Sequence, residues 1–153
     1  MNKPPLQLNN YFFPVVNVIA NPNWTQESAV GKGAPTSNCA IKSAKVENIN
    51  NMYEVTISIE IMDTPENPSQ YNISLVAVGI LTADDNLPNM DQNMTITGAS
   101  ILYSASREFL LQLMSRGPFP PIMLSPISFN IPSPPKEDSQ PVKVKPKRIK
   151  KAS

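Results

Sequence analysis

The alternation of apolar and polar residues along the chain predicts four β-strands followed by one helix. The clearest strand spans residues 52–62, where every second side chain is apolar: Tyr53, Val55, Ile57, Ile59 and Ile61. Successive strand residues point to opposite faces of a sheet. This strand therefore has one buried and one wet face, which favours an antiparallel sheet.

The next strand, residues 71–81, begins with the same alternation and then becomes apolar on both faces. Its second face carries Val76, Val78 and Ile80, so something covers that face: a helix layer, another subunit or a bound polypeptide. We favour the helix layer or a subunit interface over the floor of a binding groove.

Two further strands precede these, at residues 6–20 and, more weakly, at 39–49. Pro14 interrupts the first of them, which predicts an edge position or a bulge. Tyr11, Phe12 and Phe13 are consecutive, so they cannot all face one core. The long link between these strands contains Trp24, which either packs the link against the sheet or lines a binding groove.

A helical stripe follows a polar loop at residues 83–97, with Ser100 as the predicted N-cap. The apolar positions recur at helical spacing: Ile101, Leu102, Ala105, Phe109, Leu110, Leu113 and Met114. Gly117 is predicted to end the helix in a left-handed conformation, and Pro118 prevents its continuation. Strands first and a helix last predict an α+β fold, a four-stranded antiparallel sheet with a helix layer on one face.

Composition narrows the possible functions. The chain of 153 residues contains no histidine and a single cysteine, Cys39, so it has no intrachain disulfide. The commonest general base at neutral pH is absent, and no catalytic motif is present, so we expect no enzyme, no metal and no cofactor. No signal peptide and no apolar run of roughly 20 residues is present, which predicts a cytoplasmic protein without membrane insertion.

Charge separates the chain into two parts. Residues 1–131 carry six basic and ten acidic groups, whereas residues 132–153 carry seven basic and two acidic groups. We interpret residues 1–131 as one domain and 132–153 as a disordered tail rich in proline and lysine. No aromatic residues interleave with the lysines, which disfavours binding of nucleic acid by base stacking. A basic-tailed nucleic-acid or scaffold adaptor remains an alternative function.

The segment 101–129 resembles the signature of the SecB family of export chaperones, and residues 6–131 are compatible with that family. The matching residues are Ile101-Leu102-Tyr103, Ser106-Arg107-Glu108, Ser115-Arg116-Gly117, Phe119-Pro120, Leu124, Pro126 and Phe129. The resemblance implies a homotetramer, assembled as a dimer of dimers. It also implies an ATP-independent holdase that binds unfolded precursor proteins before their export.

The resemblance further implies two kinds of apolar surface. The candidate groove for unfolded polypeptides comprises Tyr11, Phe13, Val16, Val18, Trp24, Val76, Val78, Ile80, Phe119, Ile122, Leu124 and Phe129. The candidate oligomer interface comprises Leu102, Phe109, Leu113 and Met114.

Two departures from the family pattern affect the expected partners. Family members carry acidic residues on the exposed sheet face that docks the translocase motor, but the matching positions here are Val15 or Val16, Ile19 and Ser74. The usual further helix and acidic tail are replaced by a basic segment that begins at Pro132. The motor as a partner therefore stays open, and a SecB-like chaperone of a toxin–antitoxin system is a second alternative.

Overall fold

The computed structural model describes residues 4–129 and confirms the predicted α+β layout. The strands are β1 (Leu6–Ala20), β2 (Ser37–Lys45), β3 (Met52–Ile61) and β4 (Tyr71–Ala83), followed by the helix α1 (Met90–Met114). The strands form one antiparallel sheet in the order β1-β4-β3-β2. The predicted tail at 132–153 lies outside the described residues.

The two central strands supply most of the core. On β3 the predicted alternation holds, and Val55, Ile57, Ile59 and Ile61 are completely buried. On β4 the buried face is formed by Tyr71, Ile73, Leu75, Ala77 and Leu81. The helix α1 packs on this same face, because Leu102 approaches Gly79 and Gly98 approaches both Val55 and Leu81.

The strand β1 is an edge strand and contains two bulges, so both readings of Pro14 are confirmed. Its pairing with β4 shifts between Leu8 and Asn10, and again between Phe12 and Val15. A bulge inserts an extra residue and re-aims the side chains that follow it. As a result, Phe12 pairs with Val78 on one face, while Phe13 stacks on the helix that covers the other face.

The helix begins eleven residues before the predicted start, so the prediction of a loop through residue 97 and of Ser100 as N-cap was wrong. The helix begins at Met90, with Asn89 as N-cap. Ser100 lies inside it and donates a hydrogen bond from Oγ to the Ile96 carbonyl, at 2.9 Å. The first three turns are rich in polar residues, so their apolar stripe is weak, yet Met94 and Gly98 are buried against the sheet.

The helix ends where predicted but for a different reason. Among the described glycines only Gly31 has a positive φ, so Gly117 is not left-handed. A Cβ at position 117 would instead overlap the hydroxyl of Tyr71. That hydroxyl accepts a hydrogen bond from the Phe119 amide at 3.1 Å and lies 2.9 Å from the Phe119 carbonyl, to which it can donate. Glycine is needed because a buried tyrosine approaches the backbone closely.

Candidate polypeptide-binding surfaces

An apolar strip runs between the edge strand β1 and α1, on the helix side of the sheet. We call it the helix-side strip: Tyr11, Phe13, Val16 and Val18 of β1, with Phe109 and Leu113 of α1. The rings of Phe13 and Phe109 stack nearly parallel with centroids 4.6 Å apart. The ring of Tyr11 meets Phe13 edge-on at 5.9 Å. The strip therefore joins four of the predicted groove residues to two of the predicted interface residues.

The helix-side strip remains accessible to another polypeptide. Tyr11 is 45% exposed and Val16 is 38% exposed. Toward the end of α1, Val16, Val18 and Leu113 line an open depression beside Arg116. Contiguous exposed apolar surfaces of this kind are typical of interaction sites.

Trp24 packs the long link against the segment that follows α1. Its ring meets Phe119 edge-on at 5.2 Å, and Phe119 in turn meets Tyr71 at 6.0 Å. A hydrogen bond also fixes the start of the link to the body: the Asn21 side-chain amide donates to the Ser69 carbonyl at 3.1 Å. The indole Nε1 of Trp24 is buried and finds no acceptor within residues 4–129.

The extended segment after α1 completes the core, which corrects the prediction for two groove residues. Ile122 and Leu124 are 8% and 7% exposed, so they offer little surface to a client. The Arg107 guanidinium donates from Nε to the Leu124 carbonyl at 2.9 Å, and the Tyr103 hydroxyl donates to the Ser125 carbonyl at 2.6 Å. Burial raises the pKa of Tyr103, while the positive charge of Arg107 opposes that rise.

Of the four predicted interface residues, two are core residues and two lie at the surface. Leu102 and Met114 are 0% and 1% exposed, so they are core residues of the single chain and cannot contact another subunit. Phe109 and Leu113 are half-buried and border the helix-side strip. The helical spacing placed all four on one broad stripe, but only the edge of that stripe reaches the surface.

Val76, Val78 and Ile80 face away from α1, so of the three covers predicted for this face the helix layer is wrong. They alternate along β4 with residues that are buried under the helix. Three exposed residues of β1, missing from the predicted groove, share this outer face with them: Phe12, Val15 and Ile19. We call these six residues the outer apolar stripe. The twelve predicted groove residues therefore do not form one groove: four lie on the helix side of the sheet, three on its outer face, and five on the link or on the segment after α1.

The remaining polar chemistry is structural. Burial raises the pKa of the Cys39 thiol, which disfavours the reactive thiolate. The Tyr53 hydroxyl donates to Asp91, and this bond raises the pKa of Tyr53. Within residues 4–129 no three metal-binding side chains gather at one point. The single α-helix of that range is too polar to cross a membrane.

Comparison with known proteins settles the family. The family described as "Preprotein translocase subunit SecB" matches residues 3–131. The chain belongs to the SecB family. The protein-export protein SecB of Rhodopseudomonas palustris (strain BisB5) is 28% identical over 127 residues, covering 76% of this chain and 80% of the relative. That of Methylobacillus flagellatus is 22% identical over 102 residues, covering 65% of this chain and 64% of the relative, less than two thirds of its length.

A solved structure has the same fold. It is a Mycobacterium tuberculosis SecB-like chaperone in complex with a ChAD peptide from the HigA1 antitoxin. Its TM-score with this chain is 0.58 at 15% identity, over 83% of this chain and 94% of the other. This SecB-family chain therefore shares the sheet-and-helix framework of a peptide-bound relative.

The SecB signature at 101–129 holds the helix to the segment that follows it. Ser106 is buried and bonds its hydroxyl to the Leu102 carbonyl at 2.6 Å, and Arg107 fixes the backbone at Leu124. Gly117 makes room for the Tyr71 hydroxyl, and Phe129 packs edge-on against Tyr103 at 5.9 Å. The residues that identify the family are thus mainly packing residues, and the exposed apolar surfaces lie elsewhere.

Proposed function

We propose that this SecB-family chain is an ATP-independent holdase that binds unfolded polypeptides, including precursor proteins destined for export, through the helix-side strip. The observation that carries the proposal is the exposure of Tyr11 and Val16 beside the half-buried Phe13 and Phe109. Together they present aromatic and branched apolar side chains along one open strip. Such a surface binds apolar segments without reading their sequence, because the hydrophobic effect is non-directional.

Energetics favour weak binding at each strip and tight binding by the assembly. Burying one apolar side chain is worth about 1.5–3 kcal/mol. Ordering an unfolded client and losing its freedom of motion offset much of the gain from a few such contacts. A homotetramer, which we include in the proposal, offers four strips to one client. Linked sites raise the effective concentration for each further contact, which favours long unfolded chains and permits release without ATP.

We do not extend the proposal to docking of the translocase motor. Val15, Ile19 and Ser74 lie on the outer face of the sheet, where the family pattern has carboxylates. Side chains without charge at these three positions do not supply the charge-assisted contacts that such docking uses. The proposal still includes export, because the clients include precursor proteins that are to be exported.

A chaperone dedicated to one antitoxin is a second candidate. Its support is the solved SecB-like chaperone, which holds a peptide from an antitoxin. The two candidates differ in client range: a general holdase protects many unfolded proteins, whereas a dedicated chaperone protects one. Testing several unrelated clients separates them.

The proposal is tested by the aggregation of chemically unfolded clients, followed by light scattering without nucleotide. The full chain is expected to suppress aggregation at one tetramer per client. Val16→Asp is expected to lose most of this effect, because a charge in the strip opposes apolar contact. Ile19→Asp is the matched control, since Ile19 lies on the same strand but on the outer face and is 61% exposed.

Both variants are first checked for unchanged circular dichroism and unchanged molecular mass. If the full chain fails to slow the aggregation of any client, the holdase proposal is wrong. If Val16→Asp and Ile19→Asp retain equal activity, the helix-side strip is not the binding surface.

A further inference from the structure

The outer apolar stripe is uncovered by residues 4–129. Phe12, Val15 and Ile19 are 48%, 39% and 61% exposed, and α1 packs on the opposite side of the sheet. The stripe occupies the edge strand β1 and its neighbour β4, so it is two strands wide. A sheet face with this apolar content is normally buried against another element. The stripe therefore needs an occupant.

Two carboxylates flank the outer apolar stripe on its β3 side, one near each end. On β3, Glu54 pairs with Ile80 and Glu60 pairs with Ser74, and both side chains are exposed. The six-residue separation of these two glutamates spans about 20 Å along the strand. One strand further out, Lys42 of β2 pairs with Thr56 between them. An occupant that combines apolar residues with two or more positive charges matches this border.

The chain itself contains such a segment beyond its described part. The sequence of residues 141–149 is PVKVKPKRI, in which Val142 and Val144 alternate with Lys143 and Lys145. In extended form this spacing places the valines on one side and the lysines on the other. The charges also match at larger scale, because residues 1–131 carry four net negative charges and residues 132–153 carry five net positive ones.

The intervening chain is long enough to reach the stripe. Phe129, the last described residue, packs against Tyr103 on the helix side of the sheet. The twelve residues between it and Val142 span at most about 40 Å. Passing around the β2 edge and across the outer face requires about 10 Å of depth and about 15 Å of width, from the spacing of layers and strands.

We propose that residues 141–149 of the same chain bind along the outer apolar stripe. Val142 and Val144 contact the apolar side chains, and the long, flexible basic side chains of the segment reach sideways to Glu54 and Glu60 at the border of the stripe. The segment thereby covers the face that family members offer to the translocase motor, so any partner of this face has to displace it. The inference concerns the outer face only and does not depend on holdase activity at the helix-side strip.

Disulfide trapping in the full chain tests the placement. In a Cys39→Ser background, one chain carries Ile19→Cys with Val144→Cys, and the matched control carries Val16→Cys with Val144→Cys. The two strand positions lie on opposite faces of β1. Under mild oxidation at low protein concentration, the outer pair is expected to form an intrachain disulfide about tenfold faster, because docking raises the effective concentration of the two thiols. Mass spectrometry identifies the linked peptides.

Equal rates for the two pairs would overturn the proposal. A disulfide that joins two chains at these positions would also overturn it, and would assign the stripe to a second copy. Aggregation assays on the untrapped chain report on the holdase function separately, so failure of either idea is distinguishable from failure of the other.

Charge reversal supplies the second measurement. Glu54→Lys combined with Glu60→Lys is expected to slow trapping of the outer pair roughly two- to tenfold, from the strength of two exposed ion pairs. Glu66→Lys combined with Glu108→Lys is the control, because these exposed carboxylates lie on a loop and on the helix. Slowing by the control alone, or no slowing by the β3 pair, would contradict the role of the acidic border.

Discussion

At the scale of single residues, the Tyr71 hydroxyl organises the end of the helix. It accepts from the Phe119 amide and lies within hydrogen-bond distance of the Phe119 and Met114 carbonyls, at 2.9 and 3.3 Å. Tyr71 is 2% exposed, so these bonds form away from water. A buried hydroxyl with such partners is costly to lose. In this chain the contact explains the glycine of Ser115-Arg116-Gly117, since only glycine at 117 admits the hydroxyl.

A double-mutant cycle tests this explanation. Tyr71→Phe is expected to lower the free energy of unfolding by about 1–3 kcal/mol, because the Phe119 amide loses its acceptor. Gly117→Ala is expected to cost about 1–3 kcal/mol by overpacking, and clearly less when combined with Tyr71→Phe. Urea unfolding measures all three variants. Tyr11→Phe, at an exposed tyrosine, is the control and is expected to leave the free energy of unfolding nearly unchanged. If the costs of Tyr71→Phe and Gly117→Ala are strictly additive in the double variant, the contact is refuted.

At the scale of elements, the first half of α1 is helical because it packs on the sheet. Residues 90–100 include Asp91, Asn93 and Gly98, which are weak helix formers. A Cβ at Gly98 would lie 2.8 Å from Val55 Cγ2 and 3.1 Å from Leu81 Cδ1. The missing side chain thus sets the distance between the helix and β3. Local propensity points toward a loop here, and tertiary packing overrides it.

The prediction at this scale concerns Gly98→Ala. Helix propensity alone would stabilise the variant by about 1 kcal/mol. Because the added methyl group meets Val55, we expect a net loss of about 1–2 kcal/mol instead. Thermal and urea unfolding decide the sign. Ser104→Ala, at an exposed position of the same helix, is the comparison and is expected to change stability by less than about 0.5 kcal/mol. A more stable Gly98→Ala chain would contradict the packing argument.

At the scale of the whole molecule, both edge strands and the helix-side strip remain open within residues 4–129. An edge strand presents unpaired backbone groups, and natural proteins cover or interrupt such edges. On β1 the interruption is visible as Pro14 and two bulges. The α1 border of the helix-side strip has no such protection, so the assembly is expected to bury Leu113 there and to leave the β1 side of the strip open.

The corresponding prediction is the mass of the assembly. Light scattering of the full chain is expected to give about 67 kDa, four times the 16.8 kDa of one chain. Leu113→Lys is expected to lower this mass, because a buried unpaired charge opposes association. Gln112→Lys, an exposed neighbour on the same helix, is expected to keep it. A monomeric full chain would refute the tetramer and the multivalent part of the holdase proposal.

The sequence by itself determined the sheet, the end of the helix and the family. Period-two alternation on β3 and β4 and the helix stop at Pro118 are local signals that need no tertiary contact, unlike the helical state of residues 90–100. Phe12 and Phe13 had to lie on opposite faces of the sheet, because adjacent strand residues point in opposite directions.

Only the tertiary structure decided where each apolar residue lies. The bulges of β1 assigned Phe12, Val15 and Ile19 to the outer face, because an extra residue reverses the alternation that follows it. Burial of Leu102 and Leu124, and exposure of Val16, depend on contacts between segments far apart in the chain. The sequence identifies which residues are apolar. Only packing decides whether their side chains are buried in the core or remain exposed to a partner.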